Sequence, residues 1–72
     1  MFTGFHINDN RIHGPSGYSR YRIVDERIHG PDGDTGYYID EGQIAGPQGP
    51  TNYYIQGQSI FGPNADLPFV SM

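Results

Sequence analysis

The sequence contains no cysteine, no lysine, no tryptophan and no long run of apolar residues. Without cysteine, neither a disulfide nor a thiolate metal site can hold the fold together, and the redox compartment stays undecided. Without about 18 consecutive apolar residues, no helical membrane span is expected. The first ten residues lack the basic stretch and apolar run of a signal peptide. The localisation is therefore unknown, and a soluble, cytoplasmic protein is the default expectation.

Positive charge is scarce and confined to one part of the chain. The formal net charge is −4, all four basic residues are arginines within the first 27 positions, and five acidic residues follow them. A nucleic-acid-binding surface needs a cluster of basic side chains to release counterions. Anionic membranes attract the same kind of cluster. We therefore expect neither a nucleic acid nor a membrane as a partner.

Glycine and proline are frequent, with 11 and 6 of the 72 residues. Such a composition approaches that of low-complexity chains, and the length is close to the smallest at which one core suffices. Two features favour a folded chain. The glycines and prolines recur periodically, and eight isoleucines and six tyrosines are present, which favour strands. A single domain, residues 1–72, is predicted.

A phrase of sixteen residues occurs four times. Its first half reads small-x-aromatic-x-Ile and starts at residue 3, and its second half reads x-Ile-x-Gly-Pro and starts at residue 11. Both halves recur at intervals of 16 residues through the chain. A fixed period of this kind indicates a repeated structural unit. Because every copy contains Gly-Pro, the unit is not a helix.

Each copy is predicted to form a β-hairpin. If Asp9 and Asn10 form a two-residue loop, Ile7 lies opposite Ile12, and Phe5 lies opposite Gly14. The other copies repeat both pairings, so that an aromatic ring covers a cross-strand glycine each time. The predicted hairpins are residues 3–14, 19–30, 35–46 and 51–62.

The predicted fold class is all-β, with four sequential hairpins of 16 residues and a strand-like C-terminal tail at 65–72. Isolated hairpins are marginally stable, so the isoleucine faces must pack against each other. A pseudo-fourfold ring around the isoleucines is favoured, and a short solenoid is the alternative. The tail is expected either to seal one edge of the sheet or to exchange with a neighbouring chain.

Two resemblances follow from these residues. The alternation of short strands with an inward isoleucine resembles the four-fold β-flower proteins, small domains of four hairpin repeats, over nearly the whole chain. That resemblance implies the ring. The segment YYIDEGQI at 37–44 is similar to choline- and cell-wall-binding repeats, which read approximately Tyr-Tyr-Phe-Asp-x-x-Gly. This similarity implies ligand boxes made by aromatic side chains of successive hairpins, here Tyr37, Tyr38, Tyr53 and Tyr54.

The outward positions of the hairpins differ between copies, because packing in the core does not fix them. The predicted outward cross-strand pairs are His6 with His13, Arg22 with His29, Tyr38 with Ala45, and Tyr54 with Phe61. One half of the outer face is thus imidazole and guanidinium, and the other half is aromatic. Exposed aromatic rings are typical of contacts with proteins and with sugar rings. The predicted ligand or partner surface consists of Tyr37, Tyr38, Tyr53, Tyr54 and Phe61.

His6 and His13 are candidate transition-metal ligands, because the predicted register places their imidazoles opposite each other. A structural zinc site takes four ligands, and two imidazoles do not supply them. Two solvated histidines on an exposed face are therefore the favoured interpretation. We expect no metal site and no cofactor.

No catalytic constellation is recognisable in the sequence. The candidate nucleophiles Ser16, Ser19, Thr35 and Thr51 lack a neighbouring base and an oxyanion hole. A domain of this size also has little room for a closed pocket unless subunits create one. An enzyme is therefore not expected. The leading hypothesis is a structural or protein-interaction module that self-associates, and the alternative is a module that binds carbohydrate or a cell-wall group with tyrosines between hairpins.

Overall fold

The computed structural model describes residues 1–70, which form eight antiparallel strands and no helix. Accordingly, these residues include no helix long and apolar enough to cross a membrane. The strands are β1 (Phe2–Asn8), β2 (Arg11–Gly14), β3 (Gly17–Val24), β4 (Arg27–Gly30), β5 (Gly33–Asp40), β6 (Gln43–Gly46), β7 (Gly49–Gln56) and β8 (Ser59–Phe61). The predicted all-β class with four sequential hairpins is confirmed.

The sheet closes into a ring, because strands pair in chain order and β8 pairs with β1. Phe2 lies opposite Phe61 at this junction. The amino group of Met1 donates to the Gly62 carbonyl at 2.9 Å, and the Gly62 amide donates to the Met1 carbonyl at 2.9 Å. The ring is therefore confirmed and the solenoid is wrong, since the outermost strands of the sequence pair with each other.

The predicted isoleucine pairs all form. The pairs are Ile7 with Ile12, Ile23 with Ile28, Ile39 with Ile44, and Ile55 with Ile60. The first loop has positive φ at Asp9 (55°) and Asn10 (63°), and the second has positive φ at Asp25 (51°) and Glu26 (66°). Two positive φ angles are the conformation of a primed turn, whose twist matches that of the strands.

The isoleucines of the second strand of each hairpin occupy the centre of the core. These residues, Ile12, Ile28, Ile44 and Ile60, are at most 1% exposed. Ile12 lies opposite Ile7 on β1 and also opposite Tyr21 on β3, so it has an apolar neighbour on both sides. The isoleucines of the first strands remain half-buried against this centre.

Next to the isoleucines, an aromatic ring covers a glycine in each repeat. The ring–glycine pairs are Phe5 with Gly14, Tyr21 with Gly30, Tyr37 with Gly46, and Tyr53 with Gly62. A methyl group on Gly46 would lie 2.6 Å from the Tyr37 ring, closer than real side chains approach. The predicted pairing therefore holds in all four copies. We call this side of the core the aromatic end.

A hydroxyl group in each repeat also joins neighbouring strands. Thr35 donates to the Ile28 carbonyl at 2.7 Å and accepts the Tyr37 amide at 3.2 Å. The equivalent residues Thr3, Ser19 and Thr51 make the same two hydrogen bonds, to the carbonyls of Ile60, Ile12 and Ile44 and from the amides of Phe5, Tyr21 and Tyr53. Three of the four candidate nucleophiles, Ser19, Thr35 and Thr51, therefore hold strands together.

The tail does not form the predicted strand, because residues 63–70 adopt bends and a turn. Leu67 and Phe69 are 3% and 5% exposed, and they cover the aromatic end of the core. The strand prediction is wrong because the closed ring leaves no free edge to pair with, and Pro68 has no amide proton to donate. The last two residues of the predicted tail, 71 and 72, lie outside the described residues.

Arg20 occupies a backbone position that suits glycine. Its φ is 75°, and the equivalent residues of the other repeats, Gly4, Gly36 and Asn52, have φ of 90°, 87° and 71°. The register shifts here between β2 and β3, as at a β-bulge. The left-handed region costs a residue with a Cβ about 1–2 kcal/mol. Arg20 therefore carries backbone strain that two of its equivalents avoid.

We expect Arg20→Gly to raise the free energy of unfolding by about 0.5–1 kcal/mol. The strain energy that is relieved exceeds the entropic stabilisation that glycine gives the unfolded chain, which is about 0.4–1 kcal/mol. Urea denaturation measures the change. Arg22→Gly, on the same strand but without a positive φ, is the matched control and should destabilise the protein. A loss of stability in Arg20→Gly equal to that of the control contradicts the prediction.

Candidate functional site

The four predicted outward cross-strand pairs all form. His6 pairs with His13 and Arg22 with His29 in the first two hairpins. Tyr38 pairs with Ala45, and Tyr54 with Phe61, in the last two. At these four pairs, the imidazole and guanidinium side chains lie on the first two hairpins, and the tyrosine and phenylalanine side chains lie on the last two. The exposed Tyr18 is an aromatic residue of the first group, beside His13.

Three aromatic rings form a continuous group where β7, β8 and β1 meet. The ring centroids of Tyr54 and Phe61 are 5.6 Å apart with planes at 15°, and those of Phe2 and Phe61 are 5.6 Å apart with planes at 51°. Phe2 is 50% exposed and Tyr54 42%. We call Phe2, Tyr54 and Phe61 the outer aromatic patch.

The surroundings of the outer aromatic patch are poor in charge. Residues 43–65, which include β7 and β8, contain no aspartate, glutamate, lysine or arginine. Aromatic enrichment together with depletion of charge distinguishes the centre of a protein interface from the rest of a surface. The patch therefore has the composition of an interface centre.

Phe2 was missing from the predicted surface, although it completes the patch. It precedes the first copy of the repeat, so the hairpin register alone gives it no partner. The repeat period could have identified Phe2, because it precedes the exposed Tyr18 by sixteen residues and therefore occupies the equivalent position. Only closure of the ring brings Phe2 beside Phe61.

Tyr38 is exposed, but its cross-strand neighbours do not belong to the outer aromatic patch. It is on β5, opposite Arg27 on one side and Ala45 on the other. Tyr54, its equivalent one repeat later, instead lies opposite Gln43 and Phe61. Of the predicted surface residues, Tyr54 and Phe61 are thus brought together, and Tyr38 is not.

Tyr37 and Tyr53 point into the core, in contrast to their predicted place on the ligand or partner surface. Successive side chains of a strand point to opposite faces, so Tyr37 and Tyr38 cannot both face outward. Tyr53 is 5% exposed. Its hydroxyl lies 2.8 Å from Asn64 Oδ1 and 2.7 Å from the Asp66 carbonyl oxygen. Tyr53 therefore binds the tail.

Two equivalent clefts lie between the inward tyrosines and the Pro-x-Gly turns. One cleft of about 370 Å³ is lined by Tyr37, Gly46 and residues 47–51. The other, of about 220 Å³, is lined by Tyr21, Gly30 and residues 31–35, sixteen positions earlier. Each cleft thus combines part of an aromatic ring with proline and turn backbone.

The outward histidine and arginine side chains of the first hairpin contact aromatic rings on neighbouring strands. The rings of His6 and His13 are 5.4 Å apart and nearly parallel, at 15°. The guanidinium carbon of Arg11 lies 5.9 Å from the ring centre of Tyr18, within range of a cation–π contact. Among residues 1–70, no three histidines or acids are grouped to hold a metal ion. The histidine pair thus has no third protein ligand in the described part of the chain.

Asp34 on β5 forms an ion pair with Arg27 on β4. Its Oδ2 accepts a hydrogen bond from Arg27 Nε at 2.7 Å, and its Oδ1 accepts the Gly36 amide at 2.9 Å. The Gly36 amide and the Arg27 guanidinium hold the pKa of Asp34 below its usual value. Both side chains are well exposed, so we assign the pair a local role at the register shift between β4 and β5.

We expect the stability of the protein to fall above pH 10 in a manner that depends on Tyr53. Burial, together with the negative charge of Asp66, raises the pKa of Tyr53 above its usual 10.0. The neutral phenol is thus favoured in the folded state, so its contribution is complete below pH 10 and is lost as the pH rises through the raised pKa. Thermal midpoints measured from about pH 8 to about pH 11 should fall more steeply for the native protein than for Tyr53→Phe. Identical pH profiles contradict this role of Tyr53.

Comparisons with known proteins give no relative: no protein-family model, no curated protein and no solved structure matches this chain. The features of the chain that point to a function are the outer aromatic patch, the two clefts and the aromatic end that the tail covers.

Proposed function

We propose that this protein is a non-enzymatic interaction module that self-associates through the outer aromatic patch. The observation that carries the proposal is the contiguous set of three rings, Phe2, Tyr54 and Phe61, on an exposed face. Closure of the ring holds these residues on neighbouring strands. A rigid aromatic surface loses little conformational entropy on binding, which favours association.

The distribution of charge favours a second copy of the chain as the partner. In a twofold dimer, residues near the axis meet their own copies, so a charged face repels itself. The net charge is −4, but residues 43–65 carry no charged side chain. A dimer formed through the patch brings the uncharged parts of two rings together and keeps the acidic residues apart.

The size of the patch sets the expected strength of association. A stable interface buries about 800 Å² on each partner, which is about a sixth of the 4590 Å² of accessible surface. Three rings alone do not provide this area, so the contact must extend to the outward residues of β7 and β8. We therefore expect a weak, concentration-dependent dimer.

Tyr54→Arg is expected to weaken self-association by about tenfold or more, because it places two like charges beside the twofold axis. Arg22 already occupies the equivalent position two repeats earlier, so the fold accommodates this side chain. Sedimentation equilibrium measures the association. Tyr38→Arg is the matched control: it makes the same change one repeat earlier and reproduces the existing pair of Arg11 opposite Arg22. A strictly monomeric native protein, or equal association of both variants, would falsify the proposal.

The second candidate function is the binding of a small ligand, favoured by the two equivalent clefts at Tyr21 and Tyr37. A tyrosine ring beside a proline turn offers a flat apolar surface on which a sugar ring can stack. Titration with a panel of carbohydrates, followed by tyrosine fluorescence, tests it. Binding that is lost in Tyr37→Leu but kept in Tyr54→Arg supports the clefts over the patch. No fluorescence change with any carbohydrate rejects this candidate.

A further inference from the structure

The aromatic end of the core is covered by the chain's own tail. The rings of Phe5, Tyr21, Tyr37 and Tyr53 come from the first strands of the four hairpins and pack against the buried core. Leu67 and Phe69 complete that core cluster. A surface built by four repeats is thus filled by a segment that belongs to none of them.

Phe69 contacts the repeats through its aromatic ring. Its centroid lies 5.6 Å from that of Tyr21, at 59°, and 5.6 Å from that of Tyr37, at 54°. Tilted rings at this separation are a favoured arrangement of aromatic pairs. The same side chain therefore contacts two successive repeats in nearly the same way.

The polar attachment of the tail is small. Within residues 1–70, the hydrogen bonds between residues 63–70 and the ring are those of the Tyr53 hydroxyl, near Asn64 and the Asp66 carbonyl. A hydroxyl carries one proton, so Tyr53 donates to one of these acceptors at a time or divides its proton between them. The Val70 amide donates to the Leu67 carbonyl at 3.2 Å, within the tail. The tail is thus held mainly by apolar side chains and not by strand pairing.

The connection to the tail differs from the other turns of the chain. After the first three hairpins, a proline and one residue lead to a glycine that begins the next strand. After the fourth, the chain reads Pro63-Asn64-Ala65-Asp66, with no glycine. The chain therefore leaves the repeat pattern at this point and crosses the aromatic end.

We infer that the aromatic end is a peptide-binding site for a segment with leucine and phenylalanine two residues apart, filled here by residues 66–70 of the same chain. The occupant itself shows the chemistry that the site accepts. Because residues 63–70 make no ladder hydrogen bonds, a segment of another chain that carries the same side chains can replace them. The covalent connection gives the tail a high effective concentration, which keeps the site filled internally.

Phe69→Ala in the full-length chain tests the site by weakening the internal occupant. The probe is a fluorescent peptide with the sequence of residues 64–70, and its binding is measured by anisotropy. We expect the peptide to bind the variant at least about tenfold more tightly than it binds the native protein, whose tail competes. The peptide should also raise the thermal midpoint of the variant. A control peptide with alanine in place of its phenylalanine should do neither.

Tyr53→Phe provides a second variant if Phe69→Ala does not fold. It removes the hydroxyl that holds Asn64 and Asp66 but keeps the ring over Gly62, so the tail is loosened without a cavity. Peptide affinity should lie between those of the native protein and Phe69→Ala. Peptide binding by neither variant, or equal binding of the alanine control peptide, overturns the inference. Tyr54→Arg should leave peptide binding unchanged, which separates this site from self-association through the patch.

Discussion

Ile28→Ala is expected to lower the free energy of unfolding by about 2–5 kcal/mol, the range found when a large aliphatic side chain is removed from a core. Ile28 is 0% exposed and lies at the centre of the isoleucine layer. A chain of this length has a total stability of about 4–11 kcal/mol. The substitution therefore removes a large part of the stability, and it lowers the thermal midpoint by about 4–8 °C for each kcal/mol lost.

Ile23→Ala is the matched control for this prediction. Ile23 is the cross-strand partner of Ile28 in the same hairpin, but it is only half-buried. The same atoms are removed in both variants, so the difference in stability reports the position within the ring. Chemical denaturation should show a clearly larger loss for Ile28→Ala. Equal losses would show that the second-strand isoleucines are not the centre of the core.

Gly46→Ala is expected to cost about 1–3 kcal/mol, although it adds only one methyl group. The added carbon would lie 2.6 Å from the ring of Tyr37, and the ring is itself packed against Phe69. The φ of Gly46 is not positive, so the expected loss comes from the clash and not from the backbone. Thermal or urea denaturation measures it.

The double variant with Tyr37→Ala distinguishes a clash from any other effect of the alanine. Once the ring is gone, the methyl group has space, so the cost of Gly46→Ala should become small. The expected coupling energy between the two sites is about 0.5–3 kcal/mol. Additive losses would mean that Tyr37 does not cover Gly46 in solution.

The register of the hairpins was predictable because one pattern occurs four times. A single Ile-x-x-x-x-Ile spacing is ambiguous, but four copies with the same turn position, aromatic residue and glycine leave one consistent pairing. Asp25-Glu26 shows that the global pattern prevails over a weak local turn signal, since both residues adopt positive φ. The four hairpins followed from this register, whereas the pairing of β8 with β1 decides between the ring and the solenoid.

The contributions of the tail, the hydroxyl groups and Phe2 were not predictable in the same way. Phe69 and Leu67 bury themselves against several repeats at once, and a pattern of neighbouring residues does not describe such long-range packing. Thr3, Ser19, Thr35 and Thr51 do recur with the period, but the sequence does not show that a bulge places each hydroxyl beside a carbonyl of the previous strand. Phe2 joins Phe61 only through the closing pair of strands.

The location of the candidate site was predictable in part from the repeat register. Strand alternation and the repeat register placed Tyr54 opposite Phe61 on the outer face. Tyr37 and Tyr53 were assigned to the surface by their similarity to known binding repeats, but the alternation of side chains turns both away from the outer face. Tyr37 lines a cleft, whereas Tyr53 is buried. The repeat register thus predicted side-chain orientation better than local sequence similarity did.

Self-association through the outer aromatic patch is tested most directly by a dilution series of NMR spectra at concentrations up to about 1 mM, where weak dimers form. We expect concentration-dependent shifts at Phe2, Tyr54 and Phe61, while the resonances of Tyr38 and the four central isoleucines stay constant. Spectra that do not change with concentration, or changes centred on the turns of the two clefts, would contradict the proposed contact.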